Sequence, residues 1–300
     1  MEIAVARAFF LTLACAAIVL TGAAASQPAG EAAQPADDHL VLSYGPDPLQ
    51  TLDVWPSAAF EPELIVFVHG GGWSRGDKRM MHGSDKLRHW QGEAYAVASL
   101  NYRLVPDATV EQQARDIAAA LALLKAQADE LGFDAQYIAL VGHSAGAHLV
   151  ALIGTDERYL RGAGLSFADL SGVVLLDGAA YDVPSQLREG PRVMQRMYRQ
   201  AFGADAVRQA RLSPTAQAAA PNAPAFLILH VQREDGARQS ERLAAALREA
   251  GTAAEARGFA GTGLRGHAEI NRRMGDEAYP ATAVVDAFLL RVFEDRARSE

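Results

Sequence analysis

The chain has 300 residues, of which half are hydrophobic and 21% are charged, and its formal net charge at pH 7 is −8. This length and composition allow one large α/β domain or two small ones, each with a sizeable core. Because no cluster of Lys and Arg offsets the negative charge, nucleic acids and anionic membrane surfaces are not expected as partners.

The first 25 residues have the pattern of a secretory signal peptide. Arg7 precedes an apolar run over residues 9–20, and Ala23-Ala24-Ala25 supplies small residues for a cleavage site. The run is short for a membrane span, so cleavage after Ala25 is favoured over a retained anchor. We therefore expect export to the periplasm or the medium, with no stable membrane insertion after cleavage. The one cysteine, Cys15, lies in this segment, so the mature chain would need no disulfide.

The remaining chain predicts an α/β fold. Residues 26–38 are polar and of low complexity, and we expect them to form a disordered tether. Apolar runs predict strands over residues 39–44, 49–55, 64–68, 94–100, 137–141, 173–176, 225–230 and 253–259. Apolar residues at helical spacing predict helices over residues 111–131, 145–153, 240–250 and 285–292.

This alternation predicts a mostly parallel central sheet with helices on both faces. The first two strands are expected to form an antiparallel edge. No internal repeat and no mid-chain linker divides the rest, so residues 39–300 are interpreted as one domain. Residues 182–222, between two predicted strands, are expected to form a small helical cap insertion.

Ser144 lies between Gly142 and Gly146, with a predicted strand before it and a predicted helix after it. The Gly-x-Ser-x-Gly pattern is typical of a nucleophile elbow, a turn so sharp that only small residues fit on either side of the serine. The pattern alone also occurs by chance. A nucleophile at Ser144 therefore requires a base, an acid and oxyanion donors elsewhere in the chain.

Three consecutive glycines, residues 70–72, directly follow the predicted strand over residues 64–68. Such a run exposes backbone N–H groups that no side chain covers. A phosphate-binding loop is the alternative, but neither of its glycine patterns follows. Because the elbow is present in the same chain, we predict that the N–H groups of Gly71, Gly72 and Ala145 form an oxyanion hole.

In this order the motifs resemble the α/β-hydrolase fold, and within it the HGGG-bearing esterases related to hormone-sensitive lipase and to arylformamidases. The resemblance covers roughly residues 39–295 and rests on residues 69–73, 101–104 and 142–146. It implies the chain order serine, acid, histidine. Trp73 and Tyr102 resemble residues that wall the cleft or brace the oxyanion loop, although core packing explains both equally well.

His267 is the predicted general base. It follows the last predicted strand, in a Gly-rich segment over residues 261–267 that we expect to be a loop, where the family order places the histidine. The other histidines of the motifs, helices and strands have simpler structural or surface roles. No spacing of histidines and carboxylates matches a metal site, so neither a metal nor a cofactor is expected.

Asp235 is the predicted acid of the triad, and Glu234 and Asp177 remain alternatives. Asp235 and Glu234 follow the predicted strand over residues 225–230, where the resemblance places the acid loop. The small residues usual before the acid are replaced here, so the register stays open. Asp177 follows an earlier strand, and a structural role is its other interpretation.

These residues predict a serine hydrolase that cleaves small, short-chain carboxylic esters through an acyl-enzyme intermediate. Arylformamidase-like hydrolysis of an amide is the alternative, since the same groups cleave N-formyl bonds. A non-catalytic binding module on the same fold is a further alternative of a different class. The expected partner is a small-molecule ester, and the sequence does not indicate an oligomeric state.

Overall fold

A computed structural model describes residues 38–298. The predicted signal peptide and nearly all of the predicted tether thus lie outside the described residues. One sheet of eight strands runs through the described part of the chain. The strands are β1 Leu40–Ser43, β2 Thr51–Trp55, β3 Leu64–Val68, β4 Ala96–Leu100, β5 Ile138–His143, β6 Gly172–Leu176, β7 Ala225–Gln232 and β8 Ala253–Thr262.

The strand order is β1-β2-β4-β3-β5-β6-β7-β8. The β1–β2 and β2–β4 pairs are antiparallel, and every other pair is parallel. The predicted α/β class with an antiparallel edge is therefore confirmed. Since the carboxyl ends of parallel strands share one edge of a sheet, the segments that follow β3, β5 and β6 meet there.

Helices cover the sheet. They are α1 Asp85–Gly92, α2 Val110–Ala126, α3 Ala128–Leu131, α4 Ala145–Thr155, α5 Arg158–Arg161, α6 Val183–Glu189, α7 Gln195–Phe202, α8 Ala206–Arg211, α9 Pro214–Gln217, α10 Glu234–Glu249, α11 Gly263–Arg272 and α12 Pro280–Ala297. No helix among residues 38–298 has the length and apolar character that crossing a membrane requires.

The central strands are apolar on both sides because both faces of the sheet are covered. In β3, Leu64, Val66 and Val68 contribute to a core that also contains α2 and α4. Ile65 and Phe67, which alternate with them, contribute to a second core that contains α1 and α12. This period of two with burial on each face is what a central parallel strand requires.

The structure corrects several predicted boundaries, and three of the changes concern the division or the ends of elements in ways that alter the chain path. The helix predicted over residues 111–131 is divided at Gln127 into α2 and α3. The last strand runs to Thr262 rather than residue 259, and α11 begins at the next residue. Helix α10 begins at Glu234 rather than residue 240, so β7 passes into it with almost no loop. The last two differences change where the predicted base and acid lie.

The segment between β6 and β7 carries four helices, α6 to α9. Helix α7 of this segment packs against the rest of the domain through Tyr198 and Phe202, which are buried. Their rings contact the Trp73 ring, with centroid distances of 6.1 and 4.7 Å. Aromatic pairs at such distances stabilise a packing interface beyond their buried area.

A buried ammonium group joins α1 to the helix that carries His267. Lys86 is 1% exposed, and its Nζ donates to the Asn271 carbonyl at 3.1 Å and lies 5.1 Å from the Phe67 ring centroid. Burial lowers the pKa of Lys86 to about 8. At neutral pH the folded chain therefore keeps a charged group where its hydration is lost.

Replacing this ammonium should make stability less dependent on pH. Between about pH 8 and the ordinary value of 10.5 the unfolded chain binds more protons at this position, so wild-type stability rises with pH in that interval. Lys86→Met should abolish this rise and increase the free energy of unfolding at pH 7 by on the order of 1 kcal/mol. Denaturant titrations from pH 7 to 10.5 measure both effects.

Lys125→Met is the matched control, because Lys125 is 32% exposed and pairs with Asp169 at the surface. It should leave the rise between pH 8 and 10.5 unchanged. A Lys86→Met protein that keeps the wild-type slope would contradict the interpretation.

Candidate active site

Ser144 occupies a strained turn between β5 and α4. Its φ and ψ are 57° and −117°, a conformation that residues with side chains rarely adopt. Its N–H donates to the Leu176 carbonyl at 3.0 Å, which ties the turn to the end of β6. The hydroxyl is thereby held at the carboxyl edge of the sheet, as a nucleophile elbow requires.

The elbow contacts the end of β3 closely. A Cβ on Gly146 would lie 2.2 Å from the Val68 carbonyl oxygen and 2.5 Å from that of His69, so only glycine allows this approach. On the other side, a Cβ on Gly70 would lie 2.9 Å from the Ser144 Cβ. The Gly-rich loop after β3 is therefore adjacent to the serine.

Gly71 and Gly72, the predicted oxyanion donors of this loop, have positive φ values of 128° and 61°. Within residues 38–298, their N–H groups and that of Ala145 donate to no protein acceptor. Ala145 begins α4, so its N–H also lies at the positive end of a helix dipole. All three groups remain predicted donors to an oxyanion.

Trp73 and Tyr102 brace this loop and are also core residues. The Tyr102 hydroxyl donates to the His69 carbonyl at 2.9 Å, and the two rings stack with centroids 4.4 Å apart. Trp73 Nε1 donates to His148 Nδ1 at 3.2 Å, and His148 Nε2 donates to the Leu212 carbonyl at 2.8 Å. Burial lowers the pKa of His148 to about 4, so the ring stays neutral and can accept this bond.

The cap contacts the loop directly. A Cβ on Gly72 would lie 2.0 Å from Met197 Sδ of α7, so the thioether rests against the Gly72 Cα. Since Tyr198 of the same helix is fixed against Trp73, Met197 is held beside the predicted oxyanion hole. The cap is therefore in direct contact with the loop that carries the predicted oxyanion donors.

His267 lies on α11 and not in a loop, so that part of the prediction was wrong. Its side chain nevertheless meets the serine, with 2.9 Å between His267 Nε2 and Ser144 Oγ. On the other side, His267 Nδ1 lies 2.6 Å from Asp177 Oδ2. These two contacts fix the tautomer: Nδ1–H donates to the carboxylate, and Nε2 accepts from the hydroxyl.

Asp177 is the carboxylate behind His267. It directly follows β6 and its side chain is completely buried. Oδ1 accepts from the Val231 N–H at 3.1 Å, while Oδ2 accepts from His267. Burial opposes ionisation, but the bond from His267 and the nearby Arg233 cation outweigh it and hold the pKa of Asp177 below its ordinary value.

Asp235, the predicted acid, does not meet His267. It lies in the first turn of α10, and its Oδ2 accepts from Gln186 Nε2 of α6 at 3.0 Å. Glu234 is exposed and pairs with Arg238 on the same helix. The assignment to Asp235 was therefore wrong, because β7 passes into α10 without the loop that an acid at this position needs.

Strand register explains why Asp177 takes this place. His143 of β5 pairs with Leu176 of β6, so Ser144 and Asp177 are the next residues on adjacent parallel strands. Leu176 pairs with Leu229, and β7 continues to Gln232 before the chain turns into α10. The signal in the sequence was Asp177 at the end of the strand next to the elbow strand.

His143 contributes to the geometry of the site, a role that the sequence did not indicate. Its Nε2 donates to the His267 carbonyl at 3.0 Å, and the two rings lie 4.7 Å apart. Burial lowers the pKa of His143 to about 3, and the neighbouring His267 contributes to this lowering. A neutral His143 thus links the elbow to the backbone of α11 without adding a charge beside the base.

One group among residues 38–298 has side chains close enough to hold a metal ion. Ligand atoms of His39, Asp53 and His82 lie within 4.8 Å of one another. Asp53 is already paired with the Lys78 ammonium and lies 2.8 Å from His82 Nε2. Since the ammonium neutralises the buried carboxylate, we interpret the group as an ion-pair network. It includes no residue of the triad.

Comparison with known proteins gives matches to esterases and to a formamidase. The BD-FAE family model matches residues 52–173. Esterase LipC of Mycobacterium tuberculosis is 34% identical over 122 residues, 39% of this chain and 30% of that protein. Kynurenine formamidase of Meyerozyma guilliermondii is 30% identical over 152 residues, 50% of this chain and 56% of that protein. The chain thus spans between about a third and just over half the length of these relatives.

The fold comparison extends further along the chain. Esterase B from Lactobacillus rhamnosis superposes with a TM-score of 0.72 and 24% identity, over 88% of each chain. This superposition confirms the predicted fold, and the similarity to Esterase LipC confirms the predicted resemblance to esterases.

The position of the acid can be tested by removing each carboxylate in turn. Asp177→Asn should lower kcat on p-nitrophenyl butyrate by on the order of 10⁴, because His267 loses its orienting acceptor and the partner of its protonated form. Asp235→Asn, whose carboxylate contacts Gln186 instead, should change kcat by less than about tenfold. Circular dichroism of both variants checks folding. Equal losses in the two proteins would disprove the assignment.

Proposed function

We propose that this chain, which has the fold of the α/β-hydrolase esterases, is a serine hydrolase of small carboxylic esters. The observation that carries the proposal is the continuous hydrogen-bonded series Ser144–His267–Asp177 at the carboxyl edge of the sheet, with distances of 2.9 and 2.6 Å. The Gly-rich loop beside the serine supplies N–H groups without a protein acceptor. Nucleophile, base, orienting acid and oxyanion donors are then all present.

The proposed reaction proceeds in two stages. His267 Nε2 takes the proton of Ser144, and Oγ attacks the acyl carbon to give a tetrahedral intermediate. Its oxyanion accepts from the N–H groups of Gly71, Gly72 and Ala145. His267 then gives its proton to the departing alkoxide, leaving an acyl-enzyme. Water, deprotonated by the same ring, releases the carboxylic acid and restores Ser144. Asp177 stabilises the imidazolium form in both stages.

We expect short acyl chains to be preferred. Met197 Sδ lies against Gly72, a predicted oxyanion donor, and should therefore limit the room for the acyl chain. Esterase B, the structural neighbour, has also been solved with a tributyrin phosphonate inhibitor, a compound with short acyl chains.

A series of p-nitrophenyl esters tests this activity. We expect kcat/KM to be highest for acetate or butyrate and to fall by about tenfold or more at octanoate, as a longer chain meets Met197. A fluorophosphonate probe should label the wild type and not Ser144→Ala. No turnover of any ester together with no labelling would refute the hydrolase proposal.

Hydrolysis of an N-formyl amide is the second candidate. The match to a kynurenine formamidase over half of this chain is the observation that favours it. The same triad cleaves either bond, so only relative rates decide. Measuring kcat/KM for N-formylkynurenine beside p-nitrophenyl butyrate assigns the preference, and a higher value for the formamide would replace the ester proposal.

Export is a separate proposal, based on the signal-peptide pattern of residues 1–25. Expression of the full chain in a bacterial host should give a product outside the cytoplasm whose mass matches residues 26–300. Ala23→Asp combined with Ala25→Asp should block processing, because the cleavage site requires small residues. A cytoplasmic product of full mass from the wild-type chain would contradict export.

A further inference from the structure

The triad acid has a cationic neighbour that the reaction outlined above does not use. Arg233 is the residue between β7 and α10, and its side chain is 10% exposed. Its Nε lies 3.2 Å from Asp177 Oδ2, an ion pair that lacks the alignment of a hydrogen bond. Its Nη2 donates to the Gly178 carbonyl at 3.1 Å. One guanidinium therefore contacts both the carboxylate and the backbone that follows it.

The surroundings of Arg233 leave room for this placement. A Cβ on Gly236, in the first turn of α10, would lie 2.9 Å from Arg233 Nη2, so the guanidinium rests against a residue without a side chain. The direct passage of β7 into α10 that displaces Asp235 also places Arg233 here. The loss of one acid position and the gain of this cation share a structural cause.

Asp177 needs external support. Its φ is 44°, in the left-handed region that disfavours residues with side chains. Its N–H donates to the Leu229 carbonyl at 2.8 Å, and Oδ1 accepts from the Val231 N–H. Arg233, directly after β7, adds a third attachment, which is the only charged one among these three. Together they fix the carboxylate against rotation away from His267.

The charge of Arg233 also acts on the proton between Asp177 and His267. A carboxylate that faces a second cation stabilises an imidazolium less than a carboxylate that faces none. The Asp177–His267 pair must therefore bind a proton less readily beside Arg233. Because only the unprotonated ring can accept from Ser144, the cation extends the active form toward lower pH.

We propose that Arg233 is a positioning residue of the triad, which holds Asp177 toward His267 and keeps the pair unprotonated in mildly acidic solution. The proposal rests on the proposed function only for its kinetic readout. An exported hydrolase with this arrangement would be active over a wider range of external pH.

The buried titratable groups that surround the pair do not change charge between pH 5 and 7. Burial lowers the pKa of His143 to about 3 and that of Lys86 to about 8. Burial raises the pKa of Tyr181 and Tyr279, and that of Tyr198 to about 12. On α11 itself, Arg265 and Glu269 form an ion pair at 3.0 Å, so the two charges compensate each other.

The test compares pH profiles of kcat/KM for the wild type and Arg233→Met. The variant's acidic limb should move to higher pH by about half a unit to one unit, since the pair then binds a proton more readily. Its plateau should fall by about tenfold, because Asp177 loses one of its attachments. Arg233→Lys keeps the charge without the planar fork, so its limb should stay near the wild-type position while its plateau falls.

Arg238→Met is the matched control. Arg238 lies on α10, is 41% exposed and pairs with Glu234 and Glu189, away from Asp177. Its acidic limb should not move. Thermal melts of all three variants identify any loss of folding, and Arg233→Lys covers the case in which Arg233→Met does not fold. An unchanged limb in Arg233→Met, or a limb moved to lower pH, would overturn the proposal.

A second readout does not depend on turnover. The ring protonation of His267, followed by NMR of ¹⁵N-histidine-labelled protein, should occur at higher pH in Arg233→Met than in the wild type. A chain that hydrolyses no ester but shows this displacement would refute the proposed function and support the role of Arg233. An active chain without the displacement would support the proposed function and refute the role of Arg233.

Discussion

The sharp turn at Ser144 is the constraint on which the site depends. The turn requires a positive φ at a residue with a side chain, and that conformation is maintained only because its surroundings hold it. The Leu176 carbonyl accepts the Ser144 N–H from one side, and Gly146 contacts the end of β3 on the other. The elbow is therefore fixed by both neighbouring strands. The same contacts place the oxyanion loop after β3 and Asp177 after β6 on either side of the serine.

Charge around the triad is controlled by burial. His143 and His148 lie close to the site, yet burial keeps both rings neutral, so each acts as a hydrogen-bonding spacer. His143 links the elbow to α11, and His148 links the oxyanion loop to the cap. Asp177 remains ionised despite complete burial because it has hydrogen-bond donors on both oxygens and a cation beside it. The ionised Asp177 favours transfer of the Ser144 proton to His267, because the carboxylate stabilises the imidazolium form.

The cap contributes to the site through packing. Tyr198 and Phe202 dock on Trp73, whose indole bonds to His148, and Met197 of the same helix rests against Gly72. The aromatic contacts therefore fix both the oxyanion loop and the thioether that lies against it. The hydrophobic pattern of the cap does not show this, since the contacts join segments 75 or more residues apart.

The sequence by itself determined the strand-and-helix alternation, the elbow at Ser144, the Gly-rich loop and the choice of His267, because each depends on local patterns or on chain order. Only the tertiary structure decided which carboxylate stands behind His267. Asp177 and Asp235 each follow a strand of the sheet, and the choice depends on strand register and on where β7 passes into α10. Register is set by pairing between distant segments, so no local pattern contains it. The position of Arg233 beside Asp177 was decided in the same way.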